Sequence, residues 1–173
     1  MSHIKKITLF IVVIVILLLV FGLWYNFTYS MDIIKPTQVN TTEYNRKLLI
    51  ATQGSKFKNE LTNRIIEQYK NDSIYINIID ITALKKSDLT SYQAILLIHT
   101  WENWKPPVMV ENFINTLSES DKNKLIVMTT SGNGSYKMDG IDAITGESNI
   151  HELGTISNEI ILRLNPLVNG NPE

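Results

Sequence analysis

The 173-residue sequence contains no cysteine, which excludes disulfide bonds, thiolate metal sites and cysteine nucleophiles. Its three histidines, His3, His99 and His151, lie far apart and show no metal-ligand spacing, so we predict no metal site. The net charge of −1 is not accompanied by a basic cluster, which argues against nucleic acid as a partner. The candidate loops described below bring no paired carboxylates or oriented histidine, so we predict no catalytic residues.

Charged residues are also absent between Lys6 and Asp32, where residues 7–24 form an almost unbroken apolar run. About 20 such residues are enough to span a bilayer. The alternative is a cleaved signal peptide, which has a shorter apolar core and a small-residue cleavage pattern that residues 21–26 lack. We therefore predict that residues 1–29 are an uncleaved transmembrane anchor, which makes the lipid bilayer one partner.

The few charges beside this run predict its orientation. Lys5 and Lys6 precede it, whereas Asp32 and Lys35 follow it. Because positive charge favours the cytoplasmic side, we expect a single-pass protein of the cell membrane with a cytoplasmic N-terminus and an extracytoplasmic domain. Residues 30–45 are polar and lack periodicity, so we interpret them as a linker to a domain formed by residues 46–173.

Strand-like and helix-like patterns alternate through this domain. An apolar run that starts at residue 46 and breaks at Gly54, with further runs at residues 74–80, 92–99 and 124–129, predicts four buried strands. Helical spacing predicts helices over residues 58–70, after Pro107, and from a start between residues 149 and 155, with one possible turn at 84–89. With no convincing fifth strand, the prediction is an α/β three-layer sandwich with a four-stranded parallel sheet in the order 2-1-3-4.

The most polar and aromatic loops follow the first, third and fourth predicted strands. In a parallel sheet such loops meet outside the carboxyl ends of the strands, where ligands bind. The apolar run of the first predicted strand breaks at Gly54, and the loop that follows leads into a helix N-terminus. The free amides of that N-terminus and the helix dipole favour binding of an anion. The plain alternative is that Gly54 and Ser55 only turn and cap the chain.

Three motifs in these loops resemble those of the flavodoxins. Residues 53–58 resemble the phosphate loop after the first strand, and Thr100-Trp101 resembles the Thr-Trp loop after the third. Residues 132–136 resemble the loop beside the flavin ring. The resemblance covers most of residues 46–144 and implies a flavodoxin-like fold with a noncovalent FMN site. The implied binding residues are Thr52, Gln53, Gly54, Ser55, Lys56, Phe57, Lys58, Thr100, Trp101, Glu102, Asn103, Trp104, Thr130, Ser131, Gly132, Asn133, Gly134, Ser135 and Tyr136.

Within this resemblance, Trp101 and Tyr136 would stack on the two faces of the isoalloxazine ring. Lys56, Phe57 and Lys58 stand where flavodoxins have glycine, a small polar residue and threonine. Lys56 or Lys58 would therefore bind the phosphate as a point charge instead of a hydroxyl. The alternative is that Trp101 and Trp104 pack as loop anchors against the next helix.

Residues 142–148 are similar to a pattern at which a flavin transferase links FMN to a hydroxyl in extracytoplasmic carriers. On that resemblance Ser148 would be the acceptor, although Glu147 replaces the usual alanine. The plain alternative is a turn and helix start around Gly146 and Ser148. Of the two predicted modes of FMN binding, the sequence therefore favours noncovalent binding over covalent attachment.

The leading hypothesis is a membrane-anchored carrier that binds FMN and exchanges electrons with a membrane redox partner. The alternative is a flavodoxin-like domain without flavin that serves as an interaction module of a membrane assembly. A flavin and nicotinamide-dependent reductase is a third and weaker interpretation. We expect an electron carrier rather than an enzyme that turns over a substrate.

Overall fold

The computed structural model describes residues 3–29, 31–86 and 88–170. The chain divides into two compact units, Met1–Met31 and Asp32–Glu173. Residue 30 of the predicted linker and residues 171–173 of the predicted domain lie outside the described residues. The first unit contains one helix, α1 (His3–Tyr29). Its stretch His3–Tyr25, which contains an 18-residue window with a mean hydropathy of 3.2, is long and apolar enough to cross a bilayer.

The second unit is a six-stranded sheet covered by helices on both faces. Its elements in chain order are β1 (Thr37–Val39), β2 (Arg46–Thr52), α2 (Lys56–Tyr69), β3 (Ile74–Asp80), a 3-10 helix (Ile81–Lys86), β4 (Ala94–Thr100), α3 (Val108–Thr116), α4 (Glu119–Lys122), β5 (Leu125–Thr130), β6 (Ala143–Gly146), a second 3-10 helix (Ile150–Glu152) and α5 (Leu153–Asn169). The helices predicted at residues 58–70, after Pro107 and near the C-terminus are confirmed.

The sheet order is β1-β3-β2-β4-β5-β6, with β1 antiparallel to β3 and the other pairs parallel. Alternate side chains along β2 enter two separate cores. Leu48 and Ile50 pack with α2 and α5 on one face, whereas Leu49 and Ala51 pack with α3 and the first 3-10 helix on the other. Burial on both faces explains why the central strands read as continuous apolar runs.

The predicted four-stranded sheet was wrong in strand number and therefore in order. The four predicted strands are β2, β3, β4 and β5, and they keep the predicted relative order. The missed strands are short edge strands: β1 has three residues and β6 has four, with Ile144 as the one large apolar residue of β6 buried. Short edge strands carry little hydrophobic pattern, which is why the sequence did not reveal them.

The predicted linker is also partly structured. From Asp32 onward its residues belong to the second unit rather than to a free tether that ends at residue 45. Asp32 pairs with Gly54 through backbone hydrogen bonds, and the Ile34 amide donates to Asp80 Oδ2 over 3.0 Å. These are mostly backbone contacts, so the polar composition of the segment gave no sign of them.

Candidate functional site

The loop after β2 is closed by the segment that precedes β1. The Gly54 amide donates to the Asp32 carbonyl over 2.7 Å, and the Asp32 amide donates to the Gly54 carbonyl over 3.0 Å. A Cβ at position 54 would lie 2.7 Å from both the Asp32 Cβ and its carbonyl oxygen. Glycine is therefore required here for close backbone approach, and its amide is already used.

The rest of this loop caps α2. Ser55 has extended dihedral angles, and its Oγ accepts a hydrogen bond of 3.2 Å from the Lys58 amide. This is the usual N-cap contact, and it supplies one partner for the free amides of the first helical turn. Lys56 is exposed, whereas Phe57 is buried in the core shared with α2 and α5. The plain interpretation of Gly54 and Ser55 as turn and cap matches these contacts.

Gln53 joins the loop after β2 to the loop after β4. Its Oε1 accepts a hydrogen bond of 2.8 Å from the Thr100 amide. Its Nε2 donates to Glu102 Oε1 over 3.2 Å. The oxygen and the nitrogen of the buried Gln53 side-chain amide thus both have hydrogen-bond partners in the loop after β4. These bonds hold the loops after β2 and β4 together at the point where the strand order of the sheet reverses.

Two buried titratable groups lie beneath these loops. Burial lowers the pKa of the fully buried Lys58 to about 8, although the Glu102 carboxylate opposes this shift. Burial also lowers the pKa of His99 to about 4; a backbone hydrogen bond with Thr100 opposes this, and the charge of Lys58 adds to it. His99 Nε2 lies 3.0 Å from Thr129 Oγ1.

The loop after β4 is open to solvent at its tip. The backbones of Glu102 and Lys105 pair over 2.9 and 3.0 Å, and both residues between them have positive φ, +50° at Asn103 and +59° at Trp104. This is the geometry of a two-residue primed turn, in which glycine usually takes the second position. Trp104 is 78% exposed there.

The loop after β5 turns back on itself and meets Trp101. Ser131 Oγ donates to Asn133 Oδ1 over 3.1 Å, and Gly134 has a φ of +65°. The rings of Trp101 and Tyr136 are tilted by 37° with centroids 5.2 Å apart. The buried Trp101 Nε1 has no hydrogen-bond partner among the described residues. The sequence-predicted aromatic pair is therefore brought together.

The three predicted loops converge, but their residues have different environments. Those facing the interior are Thr52, Gln53, Phe57, Lys58, Thr130 and Ser131, and those exposed are Lys56, Glu102, Asn103, Trp104, Gly132, Asn133 and Ser135. Ser148 is exposed after β6, not in the loops. Asp32 and His99 were not predicted as parts of this site. The position of Lys58 was detectable, because it precedes Leu61 and Ile65 by three and seven residues on the buried face of α2.

The residues present do not form a cradle for FMN in this arrangement. The Gly54 amide, which would face a phosphate, is bound to Asp32. Lys58 is buried and positions 56–58 bring no hydroxyl. A flat ring between two aromatic side chains needs about 7 Å, twice a van der Waals contact, whereas the Trp101 and Tyr136 centroids are 5.2 Å apart.

Comparison with solved structures establishes the fold. The structure matches the Flv1 flavodiiron core of Synechocystis sp. PCC6803 with a TM-score of 0.55 at 12% identity, over 75% of this chain. The fold is flavodoxin-like. The parallel part of the sheet, β3-β2-β4-β5-β6, agrees, since it has the 2-1-3-4-5 order of such folds. The chain spans 38% of the flavodiiron protein's length.

Two further flavodoxin-like structures have lower scores. A flavodoxin from the domain Archaea gives a TM-score of 0.48 at 12% identity, covering 70% of this chain and 98% of that one. The general stress protein 14 of Treponema denticola, solved in complex with FMN, gives 0.35 at 9% identity, covering 69% and 78%. No protein-family model and no curated protein matches the sequence.

Proposed function

We propose that this protein is a membrane-anchored, flavodoxin-like interaction module that works without bound FMN. The observation that carries the proposal is the backbone pairing of Asp32 with Gly54, which occupies the amide that an FMN phosphate would need. The contact between Trp101 and Tyr136 supports the proposal, because it leaves no space for a flavin ring between the two side chains. The apolar helix α1 supports anchoring.

A second candidate is the FMN-binding electron carrier that the sequence favours. The observation in its favour is the unsatisfied Trp101 Nε1, since a buried indole N–H usually has a partner. In that case the segment at Asp32 and the Tyr136 ring would both have to move before FMN could bind. A membrane redox partner would then exchange electrons with the flavin that these loops hold.

Absorbance spectroscopy of the purified full chain, with and without added FMN, separates the two candidates. We expect a colourless protein that does not quench the fluorescence of added FMN. A yellow protein, or saturable quenching that Trp101→Ala abolishes, would instead establish the electron carrier. Coexpression with a flavin transferase, followed by acid precipitation, tests the covalent mode: flavin retained in the pellet and lost in Ser148→Ala would establish attachment there.

Native electrophoresis of detergent-extracted membranes tests whether the protein binds a partner, as an interaction module must. We expect the full chain to migrate in an assembly larger than its monomer. Migration as a colourless monomer in every mild detergent would contradict the proposal, because an interaction module must have a partner.

A further inference from the structure

Exposed apolar side chains of the second unit are concentrated at one edge of its sheet. Among the described residues of the second unit, the large apolar side chains classed as exposed are Ile33, Trp104, Val108, Met109, Ile150 and Leu162. All except Leu162 belong to segments at the carboxyl ends of the strands: the Asp32 segment, the turn after β4, the start of α3 and the 3-10 helix after β6. Exposed apolar residues scattered singly need no explanation, whereas five of these six at one edge of the sheet make that edge a candidate interaction surface.

Ile33 is displayed by an ordered backbone. Its neighbour Asp32 pairs with Gly54, and its other neighbour Ile34 donates to Asp80 Oδ2 over 3.0 Å. Even so, the Ile33 side chain is 77% exposed. Because the backbone on both sides is fixed, this side chain is held outward at low further cost in entropy.

Trp104 is displayed by the primed turn after β4. A bulky residue with φ of +59° is uncommon, and the left-handed conformation costs about 1 kcal/mol. The turn places on the surface a large ring with an apolar body and a polar N–H. Such rings are favoured at the boundary between water and lipid, where one end is apolar and the other is wet.

The chain connectivity identifies the occupant. Two residues, 30 and 31, separate Tyr29 at the end of α1 from Asp32. The candidate span ends at Tyr25, so four helical steps and three extended steps place Asp32 at most about 17 Å from the end of the span along the chain. Asp32 lies at the same sheet edge as the exposed apolar residues.

The charges of this edge favour apolar insertion over electrostatic binding. Exposed Lys56, Lys105 and Lys137 alternate with exposed Glu102, Asp139 and Glu147 on these loops. Because both signs are present, anionic lipid would gain little attraction. The surface therefore matches the zwitterionic boundary of a bilayer better than an anionic headgroup cluster.

We propose that the carboxyl edge of the sheet docks on the bilayer surface, with Ile33, Trp104 and Val108 inserted at headgroup depth. This inference rests on the membrane anchoring in the proposed function. Docking would turn the loops after β2 and β4 toward lipid, so a partner that binds them would be a membrane protein or a lipid-soluble molecule.

The absence of cysteine allows a direct test in the full chain. Val108→Cys and Leu162→Cys provide a matched pair, since their parent side chains are 70% and 72% exposed. Each variant is labelled with an environment-sensitive fluorophore and reconstituted in phosphatidylcholine vesicles that contain a spin-labelled lipid. We expect several-fold stronger quenching at position 108 than at 162, with a loss of quenching at 108 when Trp104→Ser is added.

Equal quenching at positions 108 and 162 would overturn docking while leaving the anchor intact. A label at 108 that is shielded from water but not quenched by lipid would also overturn it, because the surface would then be covered by protein. Release of the whole chain from vesicles by an alkaline wash would overturn the anchor and the docking together. A spectrum showing bound FMN would contradict the flavin-free function without affecting this result.

Discussion

The loops after β2 and β4 leave neighbouring strands at the same sheet edge, yet they differ in almost every respect. The first is sealed by Asp32 and covers the buried Lys58. The second is open and displays Trp104 in a conformation that costs energy. In this structure the loop after β2 makes internal contacts, whereas the turn after β4 exposes a large aromatic ring. Gly54→Ala in the first loop and Trp104→Gly in the second should therefore have opposite effects on stability.

Lys58, in the first turn of α2 beside the sealed loop, should give the largest effect. Its folded pKa of about 8 is below the ordinary 10.5, so the unfolded chain binds more protons between these values and the free energy of unfolding rises with pH through this window. The shift corresponds to about 3 kcal/mol. Lys58→Met should remove the alkaline rise and stabilise the protein at pH 7, as measured by urea unfolding at pH 7 and 10. Exposed Lys56→Met is the control and should retain the rise.

His99 should produce an effect of similar size at acid pH. Its folded pKa of about 4 is below the ordinary 6.5, so stability is present above pH 6.5 and is lost as the pH falls toward 4. We expect a loss of about 3 kcal/mol over this range. His99→Gln should flatten the acid limb, and exposed His151→Gln should leave it unchanged. An acid limb that persists in His99→Gln would show that other groups cause it.

Gly54→Ala tests whether the pairing of Asp32 with Gly54 stabilises the protein. A methyl group at this position would overlap the Asp32 backbone, so Gly54→Ala should destabilise the protein by about 2 kcal/mol, as overpacking does. It should also make residues 31–34 accessible to proteases. Gly132→Ala is the matched control, because nothing lies within 4 Å of its added Cβ and its φ is not positive. Equal stability of the two variants would contradict a structural seal.

Trp104→Gly in the open loop should give the smallest effect, with a sign opposite to that of Gly54→Ala. Trp104→Gly removes a side chain with little packing and relieves the positive φ, so we expect stabilisation of up to about 1 kcal/mol. The measurement is thermal unfolding in detergent, where the docking proposed above is absent. Marked destabilisation would mean that the ring packs against the domain, as the alternative interpretation from the sequence stated.

How far the sequence predicted this structure depends on how each contact is made. The central strands were predictable because burial on both faces demands continuous apolar runs, as in β4. The edge strand β6 was not, because a four-residue strand with one large buried apolar residue leaves almost no pattern. The convergence of the loops followed from topology. The pairing of Asp32 with Gly54 joins backbone groups, which every residue possesses, so no side-chain pattern could reveal it.

The pairing of Asp32 with Gly54 also affects how the domain responds to a pulling force. A pull on the chain from the side of α1 reaches Asp32 before it reaches any strand of the sheet. The two hydrogen bonds to Gly54 therefore bear the load before β1 and the rest of the domain do. Their rupture would free the amide after β2 while the central sheet stays folded, so tension in the membrane segment would act on this one loop as a local release.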